Sequence, residues 1–433
     1  MFKTFHDPLH GSIVVDDVFL KIVDRHEMQR LRSVKQLGLG NLVFPGANHT
    51  RFEHSIGVYH LSGRMASSLG ISKEESDAVR AAGMLHDVCH MPFSHTVSEI
   101  AEIKFGLDHM QAARKLINGE IKTYGDRDED VLGSEPPISE ILENSGISSR
   151  EVCDLIEYPE SQMANPDVFS QDVGQSYFRS GDYLHQIIHG PVDSDQMDYL
   201  VRDAHYTGVT HGAIDIERII SMMHVFNERI VLDKGGVPAA EGLMVSRSLM
   251  YTSVYYHETV SIAGSMLNKA VEASDLDLSD MYLMTDADLI SLLEAHGGRS
   301  HNIVRDLMNR RLYKKAHIGY VADLSEEDSH ILARYAKYRE RKKLEQEIAD
   351  IAGMDVSEVA IDIPSESVLL SKISIGKTDV SILEDDRVRS ITKISSIARA
   401  LQSRDTFRWA VLVSAPKGKQ DAVEAAAKKV LNF

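Results

Sequence analysis

Residues 84–95 read Met-Leu-His-Asp-Val-Cys-His-Met-Pro-Phe-Ser-His, three histidines and an aspartate among apolar neighbours. Polar groups this dense are costly to bury without partners. A cation supplies one, since neutral imidazole and carboxylate both ligate divalent metals. His86 and Asp87 are adjacent and can reach one ion from neighbouring angles. His90 follows one helical turn later and shares the face of His86. Pro92 ends that helix near His90 and leaves His95 to a turn or a new helix start. A helix C-terminus attracts one histidine through its dipole, but three with an aspartate point to a metal site. Cys89 reads as a small apolar filler rather than a ligand. Two other stretches carry similar chemistry, Arg51-Phe52-Glu53-His54 and the run from Asp195 to Asp203. Helical spacing puts Asp195, Tyr199 and Arg202 or Asp203 on one stripe, and leaves Asp193 and Asp198 as caps or surface residues.

The elements that must position these groups are mostly helical. A short strand or hairpin is expected over 5–15, then helices over 17–24 and 26–34, and a glycine-punctuated loop over 35–49. Phe52, Ile56, Tyr59 and Met65 mark an apolar stripe on a helix running from Thr50 to about Leu69. Ser72 followed by Glu74 and Glu75 marks the N-terminus of a helix that continues to His90. Further helices are expected over 94–105, 108–118, 137–156, 181–189, 194–204 and 240–275, with a hairpin near 221–237. The last 80 or so residues change character: Val359–Ile363 and Phe407–Ser414 read as strands and Gln420–Leu431 as a helix. The expectation is a mostly α protein, a helical core over 1–320 and a small helical plus α/β C-terminal lobe over 321–433.

Composition narrows the class. The formal net charge of -18 argues against broad electrostatic binding to nucleic acid or to anionic membranes. There is no run of about 18 apolar residues, so no membrane span is expected. Two cysteines exclude a disulfide scaffold and suit a reducing, cytoplasmic setting.

The extended words go further. Lys35-Gln-Leu-Gly, Val43-Phe-Pro-Gly-Ala, Arg51-Phe-Glu-His-Ser-Ile-Gly-Val, His86-Asp-Val-Cys-His-Met-Pro-Phe-Ser-His and Asp198-Tyr-Leu-Val-Arg-Asp resemble the deoxynucleotide triphosphohydrolase branch of the HD-domain metal-dependent phosphohydrolases. The likeness runs from about Phe5 to Leu267. It implies an HD-domain helical core and hydrolysis of a deoxynucleoside triphosphate to deoxynucleoside and triphosphate. It implies one divalent ion (Fe, Mn, Zn, Ni or Mg) on His54, His86, Asp87 and Asp195. His90, His95 and His109 would act as catalytic histidines. The family's aspartate partner of His109 is Ser98 here, and Glu99 is the neighbouring substitute.

The same resemblance implies that Arg51 and Arg247 clamp phosphates and that Gln36 and Leu37 touch the sugar. Tyr199 would pack against C2′, Asp203 would accept from the 3′-hydroxyl, and Tyr255 would join them. A phosphate-binding lysine of the family is Gln196 here. Lys3, Asp24, Gln29 and Arg32 match in spacing the residues that bind an activating guanine nucleotide, a GTP-type partner. Asp233, Gly235 and Glu258 stand where a second nucleotide site would have basic residues. A homo-dimer or homo-tetramer is implied as well. The alternatives are a phosphohydrolase or phosphodiesterase acting on another nucleotide, and a non-catalytic nucleotide sensor.

Overall fold

In a computed structural model of the chain, residues 2–93, 95–106, 109–122, 124, 129–157, 183–364, 379–402 and 409–432 are described. The side chains of His95 and His109 lie outside what is described, and so does Phe407.

The chain is mostly α. Its first third runs α1 (Asp17–Val23), α2 (His26–Arg30), α3 (Arg51–Leu69), α4 (Lys73–Leu85), α5 (His95–Phe105) and α6 (His109–Ile117). The middle third runs α7 (Glu129–Leu132), α8 (Ile138–Glu143), α9 (Ser149–Ile156), α10 (Tyr183–His189), α11 (Ser194–Thr207), α12 (Ile216–Ser221), α13 (Val237–Met250) and α14 (Glu258–Glu272). Then come α15 (Asp286–His296), α16 (Gly298–Met308), α17 (Glu326–Tyr335) and α18 (Tyr338–Ala352). Three small sheets join them. The hairpin β1 (Phe2–Asp7)/β2 (Gly11–Asp16) turns at Gly11, whose φ is +71°. A second sheet has the order β3 (Met223–Phe226), β4 (Arg229–Asp233), β7 (Ser381–Glu384), β8 (Arg387–Ser390). A third is antiparallel, with β9 (Trp409–Ala415) between β5 (Lys314–Tyr320) and β6 (Ala360–Asp362).

The largest core lies around α3, α4 and α11, with Phe19, Leu61, Met65, Leu85 and Met197 at its centre. The C-terminal lobe has its own core, in which Leu344, Ile348, Val411, Val413 and Val423 meet between α18, β9 and the terminal helix Gln420–Leu431. Residues 379–402 leave that lobe: β7 pairs in parallel with β4, and Val380, Ile382 and Ile391 join the largest core.

Several expected elements differ in extent. The helix from Ser72 has its capping box with Glu75 but ends at Leu85, so His86 and His90 share no helical face. The reason is competition for backbone carbonyls. His86 Nδ1, 2.8 Å from Gly83 O, takes the carbonyl that Asp87 N would use in a continuing helix, and the Arg30 guanidinium holds the turn that follows by donating to Val88 O (3.1 Å) and His90 O (2.8 Å). Residues 137–156 form two helices, because Gly146 adopts φ +78° and Ser148 caps a new start. The 240–275 span is interrupted by a π-helical turn at Tyr251–Tyr255 and restarts at the His257 N-cap. Strand β5 was not foreseen; its lysine-rich start, Lys314-Lys315, masks an alternation that β9 supplies with a partner.

Candidate metal and nucleotide site

Helix α3 carries His54, the turn after α4 carries His86 and Asp87, and the first turn of α11 carries Asp195. Packing of α3 against both other helices brings the four together. Ligand atoms of His54, His86 and Asp87 lie within 4.8 Å of one another. Asp195 Oδ1 is 3.1 Å from His54 Nε2 and 3.8 Å from His86 Nε2, and Asp87 carboxylate oxygens are 3.8 Å and 3.6 Å from the same two nitrogens.

The remaining ring nitrogens explain why the Nε2 atoms converge. His86 Nδ1 lies 2.8 Å from Gly83 O and His54 Nδ1 lies 2.8 Å from Asp198 Oδ2. Each ring therefore uses Nδ1 for orientation and turns Nε2 inward, which is the arrangement a ligating histidine takes. Two imidazole nitrogens and two carboxylates within this spacing fit a divalent cation. Burial disfavours a charged His54, but its bonds to Asp195 and Asp198 outweigh burial and raise its pKa to about 10. Burial likewise works against the Asp87 charge, yet Arg51 and the imidazoles of His86, His90 and His54 hold the carboxyl well below its usual range. The Asp87 carboxyl is thus held in its ionised form.

Asp198 overturns its expected place on the surface. It is fully buried, and accepts from Arg202 Nε (2.8 Å) and Arg202 Nη2 (2.9 Å) while lying 2.6 Å from His10 Nε2. Arg202 also donates to Asp7 Oδ2 at 2.8 Å, so the β1–β2 turn is tied to α11 beneath the site. A Cβ at position 57 would come within 1.9 Å of Asp198 Oδ1, so Gly57 is what lets α3 approach α11 this closely. The Asp-x-x-x-Arg spacing of Asp198 and Arg202 was the available signal for this cluster.

His90 and Arg51 line the same region. His90 Nε2 is 3.9 Å from Asp87 Oδ1, and the Arg51 guanidinium is hydrogen-bonded to Asp87 Oδ2. His95 is the first residue of α5, and α6 begins at His109. The Glu99 carboxylate is paired with Arg341 of α18, while the side chain of His109 lies outside the described residues. Beyond the ligands, Tyr199 and Tyr255 meet edge to face at 6.1 Å, and Tyr255 donates to Asp203 Oδ2 at 2.7 Å. Asp203 Oδ1 is 2.7 Å from His49 Nε2, and His49 stacks on Tyr206. His49 is thereby the buried partner of Asp203. Arg247 lies over Tyr251 at 5.4 Å, next to this tyrosine wall. Gln36 donates its backbone N–H to His49 O at 3.0 Å, and its side-chain Oε1 is buried with no partner among the described residues. Leu37 packs half-buried on the largest core. The Gln196 amide donates to Gly190 O (2.9 Å) and Asp193 Oδ2 (2.8 Å).

The segment bearing His86 and His90 is held from outside. Asp286, on α15, accepts from Phe93 N (2.7 Å) and Lys35 N (3.1 Å), and Phe93 adopts φ +54° there. A non-glycine residue in that region needs such anchoring. Cys89 is buried as a filler, with burial pushing its thiol up to about 12.

The four residues matched to a guanine nucleotide gather on one surface. Lys3 Nζ and Asp24 Oδ2 are 3.9 Å apart and both exposed. Gln29 donates to Val23 O at 2.7 Å and accepts from Arg32 Nε at 2.8 Å, and Arg32 stacks over the Phe52 ring at 3.6 Å. Of the residues that replace the basic groups of a second nucleotide site, Asp233 pairs with His224 and Glu258 with Lys315.

Among the described residues, no helix is long and apolar enough to cross a membrane. The profile described as HD domain matches residues 51–166, and that described as HD associated region matches residues 214–433. An uncharacterized protein of Methanocaldococcus jannaschii is 30% identical over 426 residues, 96% of this chain and 80% of its own. The human deoxynucleoside triphosphate triphosphohydrolase is 28% identical over 362 residues, 78% of this chain and 54% of its own. A crystal structure of a hypothetical protein from Aquifex aeolicus superposes with TM-score 0.67 at 25% identity, covering 98% of this chain and all of that one.

Proposed function

From the premise that this chain belongs to the HD superfamily of phosphohydrolases, in its deoxynucleotide triphosphohydrolase-like branch, we propose that it hydrolyses deoxynucleoside triphosphates to deoxynucleoside and triphosphate. The observation that carries the reading is the convergence of His54, His86, Asp87 and Asp195 beside a wall of half-buried Tyr199 and Tyr255 and buried Asp203. A divalent ion held by those four side chains would supply Lewis acidity, stabilising phosphate charge and activating water.

The chain's own groups account for the rest of the reaction. Water attacks the α-phosphorus and the bond to the 5′ oxygen breaks, so that oxygen must receive a proton. His90 stands within reach of the cluster, and His95 opens the adjoining helix; an imidazole there acts as general acid. His109, at the start of α6, is assigned to the same relay. Arg51 and Arg247 neutralise phosphate oxygens, Arg51 exchanging part of its bond to Asp87 for substrate. The Tyr199 ring packs on C2′ and excludes a hydroxyl, while Gln36 and Leu37 border the sugar. Asp203 keeps lone pairs for a 3′-hydroxyl after accepting from Tyr255 and His49.

A panel of deoxynucleotides and ribonucleotides with product identification tests this. Inorganic triphosphate from deoxynucleotides, absent in Asp195→Ala protein that still folds, is the expected result. The position of Gln196 favours one second reading, a phosphohydrolase of another nucleotide, because a neutral amide turned to Gly190 leaves one cation fewer for a triphosphate. Cleavage of other nucleotides with no triphosphate released would select it. No turnover of any nucleotide, with binding retained, would select the sensor. For the surface set Lys3, Asp24, Gln29 and Arg32 the assigned ligand is a guanine nucleotide, acting on a dimer or tetramer. Rate against added GTP, read alongside sedimentation, decides that assignment, and a flat response removes it.

A further inference from the structure

Helix α5 begins at His95 and is contacted by α14 and by α18 of the C-terminal lobe. One turn into it, Glu99 is hydrogen-bonded to Arg341 Nη2 on α18. Arg341 is only 12% exposed, and its Nη1 donates to Ala336 O at 3.1 Å, so the guanidinium that reaches α5 has a second, backbone partner that fixes it. The helix it springs from is fixed too. Lys269 of α14, 3% exposed, is 2.6 Å from Glu345 of α18, and donates to Val356 O at 3.1 Å. Lys342 donates to Glu345 at 2.5 Å and is also bonded to Glu272, while Glu345 accepts from Ile361 N of β6 at 3.2 Å. A polar cavity of about 90 Å³ remains between α5, α14, α18 and β6, with Glu99, Lys269, Arg341 and Asp362 on its walls.

The buried Lys269–Glu345 pair is costly to leave unmatched and so fixes α18 against α14, and from that fixed helix the Arg341 guanidinium reaches α5. We infer that Arg341 is a positioning residue for the site: through Glu99 it sets where α5 lies, and so where His95 enters the reaction. The inference rests on the reading of His95 as a site residue. It assigns the C-terminal lobe a part in turnover that metal binding does not require, since His54, His86, Asp87 and Asp195 all lie outside α5, α14 and α18.

The test uses the full chain loaded with manganese. Arg341→Ala is expected to lower amide-exchange protection across residues 95–105 by about tenfold or more. It should lower kcat by roughly ten- to a hundredfold, with KM within about twofold and metal content unchanged. Arg341→Lys should recover most of both losses, and Lys343→Ala, an exposed pair to Glu340 on the same helix, should change neither. If Arg341→Ala does not fold, Glu99→Gln removes the ion pair from the more exposed side, where Glu99 is 42% exposed. Unchanged exchange over 95–105, or unchanged kcat, in a folded variant overturns the inference. A wild-type protein that cleaves no nucleotide overturns the proposed function instead, and exchange alone then decides the clasp: loosening supports it and no change rejects it.

Discussion

The cluster at His54 and the surface set at Lys3 are both four-residue constellations, yet they are built in opposite ways. His54 is 1% exposed, and its second nitrogen is engaged by a carboxylate that itself has no exposure. Lys3 and Asp24 are 58% and 67% exposed and meet at 3.9 Å. In the first, burial makes each unmatched charge expensive, so the partners dictate a single orientation. In the second, water competes for every bond, and the pair contributes about 0–1 kcal/mol. The buried set arrives preorganised; the surface set takes its final geometry from whatever binds it.

The sharpest way to break that contrast is Asp198→Ala. It leaves the Arg202 guanidinium without its principal partner and His54 Nδ1 without an acceptor. A loss of about 3–5 kcal/mol is expected in urea unfolding, with bound metal falling in parallel. A loss near zero would mean that the buried network does not orient the site. His54→Ala should spare most of that stability and reduce metal affinity by about a hundredfold or more, read by metal analysis after dialysis.

His60 lies on α3, its ring 5.5 Å from that of His10. Burial, then the neighbouring His10 and Arg64, lower its pKa to about 4. Between pH 4 and 6.5 the unfolded chain therefore binds a proton that the folded chain does not, so stability rises with pH across that window. His60→Gln should flatten this limb by about 1 kcal/mol, since the imidazole is partly solvated. The smallest effect belongs to Lys3→Ala, within about 0.5 kcal/mol and with metal content unchanged. Its value is in sharpening the contrast, because any guanine-nucleotide response should disappear while basal turnover stays.

Much of this was legible in the residues, and for physical reasons. The Ser72–Glu75 capping box, the apolar stripe of α3 and the β3–β4 hairpin are local, so spacing alone specifies them. The gathering of His54, His86, Asp87 and Asp195 came from family words rather than from periodicity, because nothing local says that α3 and α11 pack together. What stayed hidden depended on distant partners. Arg30 holds the turn after α4 through carbonyls nearly 60 residues away, with Asp286 anchoring the next turn from further still. Asp198 looked like a surface carboxylate until His10, on the first hairpin, and Gly57, on the facing helix, gave it a buried place.

The parallel pairing of β7 with β4 matters during synthesis. Leu232 must wait for Ile382, roughly 150 residues later, before its strand gains that neighbour. At about 5–20 residues per second, the delay is on the order of ten to thirty seconds. Throughout it, one edge of β4 and the apolar pocket awaiting Val380 and Ile391 stand open on the nascent chain. Chaperones that shield unpaired strand edges are therefore expected to meet this protein on the ribosome, and chains released short of residue 383 should aggregate even with the metal ligands already made.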